Sequence, residues 1–325
     1  MARVILVHEP GGPNAMMPTD VQIGKPGPGE VRLRQTAIGV NFIDTYHRSG
    51  LYPVPGLPFT PGMEAVGEIE MVGEGVKGFE EGDRVCYGNG PIGAYASERI
   101  MPVNTLVKVP GALKDEQVAG MMLRGLTVWY LLRSLYQLKE GETVLFHAAA
   151  GGVGLIFCQW ARAIGATVIG TVGSEEKAEL AKANGCTHTI QYRQEDFVGK
   201  VKEITDGKGV SVVYDGVGKD TFMGSLDCLR KRGLMVSFGN ASGPPPAIEV
   251  GMLGPKGSLF VTRPTLFDYT GTRPELELAT KDLFEMVSSG AVEIDVGQSY
   301  ALEQVAHAHN DLETRQTSGS TVLLV

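Results

Sequence analysis

The sequence predicts an α/β protein: a doubly wound parallel sheet of six strands inserted into a partly open antiparallel β-barrel. Three observations predict it. From residue 143 onward, short β-prone runs alternate with helical stretches. Ahead of residue 109, β-prone runs are divided by glycine and proline turns. Glycine is in excess, 44 of 325 residues, where average usage is about 7%.

The first third reads as strands over 4–8, 31–38, 65–72, 84–87 and 106–108. Pro26-Gly27-Pro28-Gly29, Pro61-Gly62 and Glu81-Gly82-Asp83 separate them. Asp115 is placed to cap a helix running through Val118, Met121 and Met122, and 126–135 is apolar enough for a buried helix. The alternation then runs strand 143–147, helix 153–164, strand 167–171, helix 175–184, strand 187–190 and helix 195–205. It continues as strand 210–214, helix 220–229, strand 234–238 and strand 258–261. Right-handed crossovers make 3-2-1-4-5-6 the expected strand order. Helices over 276–289 and 302–314 follow, and a last strand over 320–324 is expected to return to the first domain. The expected domains are 1–122 with 262–325, and 123–261; two domains suit a chain of 325 residues.

Composition sets bounds on partners and compartment. No apolar run reaches the roughly 18 residues of a membrane span, and the N-terminus turns polar too soon for a secretory signal. The cytosol is the default expectation. A net charge of -8, a pI near 5.4 and no extended run of Lys and Arg argue against a nucleic-acid partner. Cys86, Cys158, Cys186 and Cys228 lack the short spacing of a zinc ribbon or a redox dithiol and read as small buried hydrophobes. His147 ends a strand and reads as structural rather than as an acid.

The strongest motif is Ala148-Ala149-Ala150-Gly151-Gly152-Val153-Gly154, which follows a strand and opens a helix. A pyrophosphate needs backbone amides at close range and a helix N-terminus aimed at it. Gly151 and Gly152 remove side chains that would obstruct that approach, and Gly154 lets the helix pack close to the strand. Ala149 stands where the usual first glycine would be. The end of the second strand bears on NAD against NADP. An NAD site places an acid there for the ribose 2′-hydroxyl, but 171–174 reads Thr-Val-Gly-Ser. Gly173 and Ser174 leave room for a 2′-phosphate and Lys177 brings charge, so NADP(H) is the expected cofactor. Ser174 also reads as the helix N-cap.

At these residues the chain resembles the zinc-free quinone oxidoreductases related to zeta-crystallin, in the medium-chain dehydrogenase/reductase superfamily. Their signature is met by Gly141, Glu142, Leu145, Ala149, Ala150, Gly151, Gly152, Gly154, Gln159 and Arg162. The likeness extends over the whole chain, through Asn41-Phe42-Ile43-Asp44, Arg48-Ser49-Gly50-Leu51-Tyr52 and Val212-Val213-Tyr214-Asp215, and is especially close to the bacterial quinone reductases. It implies a Rossmann sheet within a GroES-like catalytic domain, and a homodimer with its contact near 258–261. Zinc-dependent alcohol dehydrogenases carry a Cys where this chain has Asn41 and Gly-His-Glu where it has Gly62-Met63-Glu64. No metal is therefore expected, and Glu64 is left to a structural or polar-network role.

The resemblance also implies site residues. Asn41 would lie beside the nicotinamide, and Thr127 and Tyr130 near the cofactor. Gly151, Gly152 and Val153 would meet the pyrophosphate. Gly173, Ser174, Lys177, Tyr192 and Arg315 would surround the 2′-phosphate. Gly216 and Val217 would close the adenine-side cleft, and Phe238, Gly239, Asn240, Thr262 and Arg263 would line the nicotinamide pocket. Asn41, Tyr46 and Tyr52 would form the catalytic cleft for a flat quinone. Plainer readings stand beside several of these: Tyr192 as a sheet-edge residue, Arg315 as a solvated helix-end charge, Arg263 as a turn or interface residue, and Tyr46 and Tyr52 as packing. The implied activity is hydride or single-electron transfer from NADPH to a quinone. An NADPH-dependent enoyl or alkenal reductase, and a structural or nucleic-acid-binding protein, are the alternatives.

Overall fold

The computed structural model describes residues 1–325, which pack into two units. The first comprises Met1–Thr127, Thr270–Ser289 and Ile294–Val325; the second comprises Val128–Tyr269 and Gly290–Glu293.

The first unit begins with β1 (Ala2–Val7), paired antiparallel with β2 (Met16–Val21). Its spine is β3 (Glu30–Val40), eleven residues whose inward side chains Val31, Leu33, Ile38 and Val40 are fully buried. After β3 comes a short helix, α1 (Phe42–Ser49), then β4 (Ala65–Val72), β5 (Arg84–Tyr87), β6 (Glu98–Pro102) and β7 (Val107–Lys108). β3 pairs antiparallel with both β4 and β6, and β5 lies between β4 and β7. α2 (Asp115–Trp129) carries the chain out of this unit, whose first segment ends at Thr127. Asp115 is not a cap: it lies in the first turn, where its carboxylate accepts from Arg84 Nε at 2.7 Å and from Thr36 Oγ1. The ion pair with Arg84 fixes it there.

The second unit begins at Val128, in the last turn of α2, which passes directly into a π-helical turn at Tyr130–Leu135, so the apolar stretch after Gly125 continues α2 instead of starting a new helix. Six parallel strands follow: β8 (Thr143–Phe146), β9 (Thr167–Val172), β10 (His188–Gln191), β11 (Val210–Asp215), β12 (Leu229–Ser237) and β13 (Phe260–Thr262). They are ordered β10-β9-β8-β11-β12-β13, the expected 3-2-1-4-5-6. β11 is buried at every position, as a strand covered on both faces must be. The crossovers are α3 (Gly152–Ile164), α4 (Glu175–Ala183), α5 (Phe197–Ile204) and α6 (Phe222–Cys228). α3 stops at Gly165, which takes φ 87°, a left-handed stop that costs glycine nothing. The sixth strand begins two residues later than expected, because Ser258, at φ 54°, still belongs to the preceding turn. α7 (Phe267–Thr270) is a single turn.

The chain then re-enters the first unit with α8 (Arg273–Ser288), started by a reciprocal cap between Thr272 and Glu275. β14 (Val296–Ala301), a 3₁₀ turn at Leu302–Gln304, α9 (Val305–Glu313) and β15 (Ser320–Leu324) complete it. β15 returns to the first sheet and pairs antiparallel with β3, Val322 opposite Gly39. β14 pairs with β15 in parallel, so the barrel sheet is mixed rather than purely antiparallel. No helix is long and apolar enough to cross a membrane.

Candidate functional site

In the second unit the sequence-marked residues gather on one rim. Six turns leave the C-terminal ends of the six strands, and open α/β sheets bind ligands along that edge. The turn after β8 carries the glycine motif. Ala148 is held at φ 59°, a conformation unusual for a residue with a side chain. A Cβ at Gly154 would stand 2.5 Å from the Ala149 carbonyl oxygen, so only glycine lets α3 begin this close to the strand. The alanine that replaces the usual first glycine is accommodated from the next strand: a Cβ at Gly170 would fall 2.6 Å from that of Ala149. A Cβ at Gly151 would meet only the Ala148 oxygen, at 3.2 Å, which leaves the other side of the turn open. The amides of α3's first turn, including Gly152 and Val153, thus begin an apolar, buried helix of 13 residues whose N-terminus suits an anion.

At the end of β9, Ser174 caps α4 by accepting from the Lys177 amide at 3.3 Å. Capping uses the serine oxygen as acceptor and does not consume its O–H as donor. Gly173 keeps the neighbouring space clear, since a Cβ there would lie 3.3 Å from the Tyr192 hydroxyl and 3.8 Å from Arg193 Nε. Tyr192 and the exposed Arg193 therefore stand beside Gly173 at the end of β10. Arg193 escaped the sequence reading, although a base directly after the third strand was a readable signal. Glu175, the first acid of α4, is engaged by Gln191 Nε2.

The turns after β11 and β12 pack back to back. A Cβ at Gly239 would come within 2.4 Å of the Gly216 oxygen, and one at Gly216 within 3.1 Å of the Phe238 ring. Asp215 organises the first turn, accepting from the amides of Val217 at 2.8 Å and Gly218 at 3.0 Å and from the Thr221 hydroxyl. Arg263, following β13 and Thr262, donates to the carbonyls of Ser237 and Gly239, both at 3.1 Å, and so lies against the end of β12 next to Asn240. Tyr130 is buried and stacked on Tyr269, ring centroids 4.8 Å apart at 13°, and burial raises its phenol. Nothing local in the sequence marks Tyr269 for that position. His147 is a core residue, its ring nitrogens 3.0 Å from Thr171 Oγ1 and 2.9 Å from Ser225 Oγ. These groups fit a dinucleotide: a helix N-terminus for the pyrophosphate, and a rim with hydroxyls, bases and no acid at 171–174.

Asn41, Tyr46, Tyr52, Thr127 and Arg315 belong to the first unit. Asn41 precedes α1, and its Nδ2 donates to Glu64 Oε1 at 2.6 Å. Glu64 is fully buried and also accepts from the Leu123 amide at 2.6 Å and from Arg124 Nη1 at 3.1 Å. Burial raises its carboxyl above the usual range while Arg124 and Asn41 oppose the shift. Gly39 is required here, since a Cβ would sit 2.1 Å from the Glu64 oxygen. At the positions where zinc-dependent relatives would carry ligands, the one carboxylate is thus already matched by a guanidinium. No cluster of three His, Cys, Asp or Glu side chains is placed to hold a metal. Tyr46 and Tyr52 pack ring to ring at 5.1 Å, with the His47 ring edge-on to Tyr52. Thr127 Oγ1 donates to the Leu123 carbonyl at 2.7 Å. Arg315 is exposed beyond the end of α9, at φ 62°.

Fold and site together define a medium-chain dehydrogenase/reductase. Residues 27–111 match the alcohol dehydrogenase GroES-like domain and residues 152–280 the zinc-binding dehydrogenase family. The chain is 52% identical over 324 residues to a quinone oxidoreductase of Pseudomonas aeruginosa, with 100% of both chains covered. It is 50% identical over 331 residues to a 2-haloacrylate reductase of a Burkholderia species, covering 100% of this chain and 99% of that one. The crystal structure of Escherichia coli quinone oxidoreductase complexed with NADPH superposes with a TM-score of 0.98 at 49% identity, over 100% of both chains. The chain belongs to the quinone oxidoreductase family.

Proposed function

We infer that this chain is an NADPH-dependent quinone reductase. The observation that carries the reading is the rim of the six-strand sheet: the glycine turn at the head of α3, and an acid-free second site built from Gly173, Ser174, Lys177, Tyr192 and Arg193. The full-length likeness to quinone oxidoreductases, one of them solved with NADPH, supports both cofactor and acceptor.

Bound NADPH supplies the hydride. The chain's own residues bind, orient and exclude water. We assign the pyrophosphate to the α3 amides, the 2′-phosphate to Ser174, Lys177 and Tyr192 with Arg193 added, and the nicotinamide side to Tyr130, Phe238, Asn240, Thr262 and Arg263. Gly216, Val217 and Gly239 keep the neighbouring turns low. Asn41 is assigned to the acceptor side with Tyr46, Tyr52 and Thr127. Because the Glu64 carboxylate only accepts, it faces Asn41 Nδ2, and Asn41 Oδ1 is turned away from it. Arg315 is kept as a further contact to the 2′-phosphate.

The 2-haloacrylate reductase relative favours a second reading, reduction of an activated carbon–carbon double bond. An acceptor panel with NADPH separates the two. Benzo- and naphthoquinones are expected to be reduced faster than 2-enals or 2-haloacrylate; turnover of the alkenes alone would overturn the quinone assignment.

A homodimer and a cytoplasmic location are further parts of this reading. β13 is the outermost strand of its sheet, with Phe260 60% and Val261 36% exposed. An apolar open edge is a template for strand pairing. Light scattering is expected to give a dimer mass that Phe260→Asp with Val261→Asp converts to a monomer. A wild-type monomer at every concentration would contradict it.

A further inference from the structure

One buried polar chain of the first unit lies outside the residues assigned above to the cofactor. It starts at Asp44, on the first turn of α1 and wholly buried. Asp44 Oδ2 accepts from the Asn41 amide at 2.8 Å and from the Tyr95 hydroxyl at 2.9 Å. Tyr95 Oη lies 2.8 Å from His309 Nε2, and His309 Nδ1 lies 3.0 Å from Arg48 Nη1. Arg48 is itself buried and anchored, by Nε to the Gly11 carbonyl at 3.0 Å and by Nη2 to Glu313 at 2.8 Å.

The proton direction along this chain follows from donor chemistry. A guanidinium only donates, so His309 Nδ1 accepts and Nε2 carries the hydrogen. Nε2–H then donates to Tyr95 Oη, and the tyrosine proton goes to Asp44 Oδ2. Burial and the Arg48 charge push His309 down to about 3, so the order does not reverse at working pH. A proton cannot run from the surface to Asp44 along this route, because Arg48 blocks Nδ1. The chain is a lock rather than a wire. Its seating requires Gly62: at φ 94°, a Cβ there would be 2.4 Å from the Tyr95 ring.

We propose that Asp44 is a positioning residue for Asn41, gripping its backbone amide with a carboxylate that Tyr95, His309 and Arg48 hold in one orientation. The proposal rests on the reading that Asn41 faces the acceptor. Asn41 is then held at two points, its side chain by Glu64 and its backbone by Asp44. Asp44 Oδ2 already receives two donors, while Oδ1 has no partner, so a proton added to Asp44 goes to Oδ1. Oδ2 then becomes a neutral carbonyl, a weaker acceptor, and the grip on Asn41 slackens.

The groups around Asp44 set where this happens. Burial raises its carboxyl to about 7, opposed by the Asn41 amide and the Tyr95 hydroxyl; Glu64 raises it further and Arg124 lowers it. Tyr87 is also within electrostatic reach of Asp44, and His309 reaches it only through Tyr95. The grip is therefore full above neutrality and lost as pH falls through about 7. Stability carries the opposite sign. A folded pKa raised above the unfolded one favours the native state at low pH, and that advantage fades as pH rises through the window between them.

The test is the pH dependence of kcat and quinone KM from about pH 5 to about pH 9, for the full-length wild type, Asp44→Asn and Tyr95→Phe. Wild-type kcat is expected to fall on the acid side, with KM changing less than about twofold. Asp44→Asn keeps the shape, lacks the titration and should lose the acid limb. Tyr95→Phe removes a donor to the charged form and should move the limb to higher pH. The melting temperature of Asp44→Asn relative to wild type should rise with pH. Asn41→Ala in the same series separates the two layers: unchanged turnover there overturns the placement of Asn41. Reduced turnover in Asn41→Ala, with an intact acid limb in Asp44→Asn, overturns the positioning role alone. Should Asp44→Asn fail to fold, an unmoved limb in Tyr95→Phe overturns it equally.

Discussion

Lys177→Ala is expected to weaken NADPH binding about tenfold to a hundredfold, equivalent to about 1.5–3 kcal/mol for one charge-assisted contact. The NADH dissociation constant should stay within about twofold. The asymmetry follows from where Lys177 stands. It lies in the first turn of α4, where the helix dipole already favours an anion, and the end of β9 before it carries no acid. The substitution also preserves the helix cap. Ser174 caps the helix through the backbone amide of residue 177, which alanine retains. Ser174→Ala would instead remove the cap, at about 0.5–2 kcal/mol of helix stability, and mix folding with affinity. Equal losses for the two nucleotides, read by titration of cofactor fluorescence, would refute the 2′-phosphate role.

The largest stability effect is expected from Arg124→Met. Arg124 and Glu64 are paired at 3.1 Å with side chains 6% and 0% exposed. Removing the guanidinium leaves a buried carboxylate uncompensated, at a cost of about 3–5 kcal/mol, a large share of the roughly 5–15 kcal/mol of a typical domain. Its pH dependence has a definite sign. Arg124 opposes the burial-driven rise of Glu64, so without it the carboxyl rises further and is increasingly protonated in the fold. The native state then gains relative stability at low pH and loses it as pH rises, so the damage grows with pH. Glu64→Gln combined with Arg124→Met should cost less than the sum of the two, because each single change strands the other's partner. A loss below about 1 kcal/mol in urea unfolding of Arg124→Met would contradict the pairing.

The second unit was legible because its signals are local. Near-continuous apolar strands, helices of ordinary length and one glycine turn determine the strand order without reference to distant residues. The substitute for the missing first glycine was not legible: Gly170 makes room for Ala149 from the adjacent strand, a relation visible only in three dimensions. The first unit was less legible for the same reason. α1 escaped because Phe42, Ile43, Thr45 and Tyr46 are β-prone by composition. What makes them helical is Asp44 accepting from the Asn41 amide and the left-handed stop at Gly50, φ 79°. β14 escaped because its side chains alternate only between half-buried and exposed, and its partner β15 lies beyond an intervening helix, α9. Asn41 was singled out from its position in the sequence, but its partner Glu64 lies 23 residues away, and Arg124, which pairs with Glu64, a further 60. Buried polar networks of this kind are set by tertiary geometry and leave no periodic trace.

The most direct test of NADPH-dependent, zinc-independent quinone reduction is the kcat/KM for a naphthoquinone with NADPH and with NADH, measured on protein whose metal content is known. NADPH is expected to be preferred by about tenfold or more, at undiminished rate after exhaustive chelation. Equal use of NADH, or loss of activity with the removal of zinc, would contradict it.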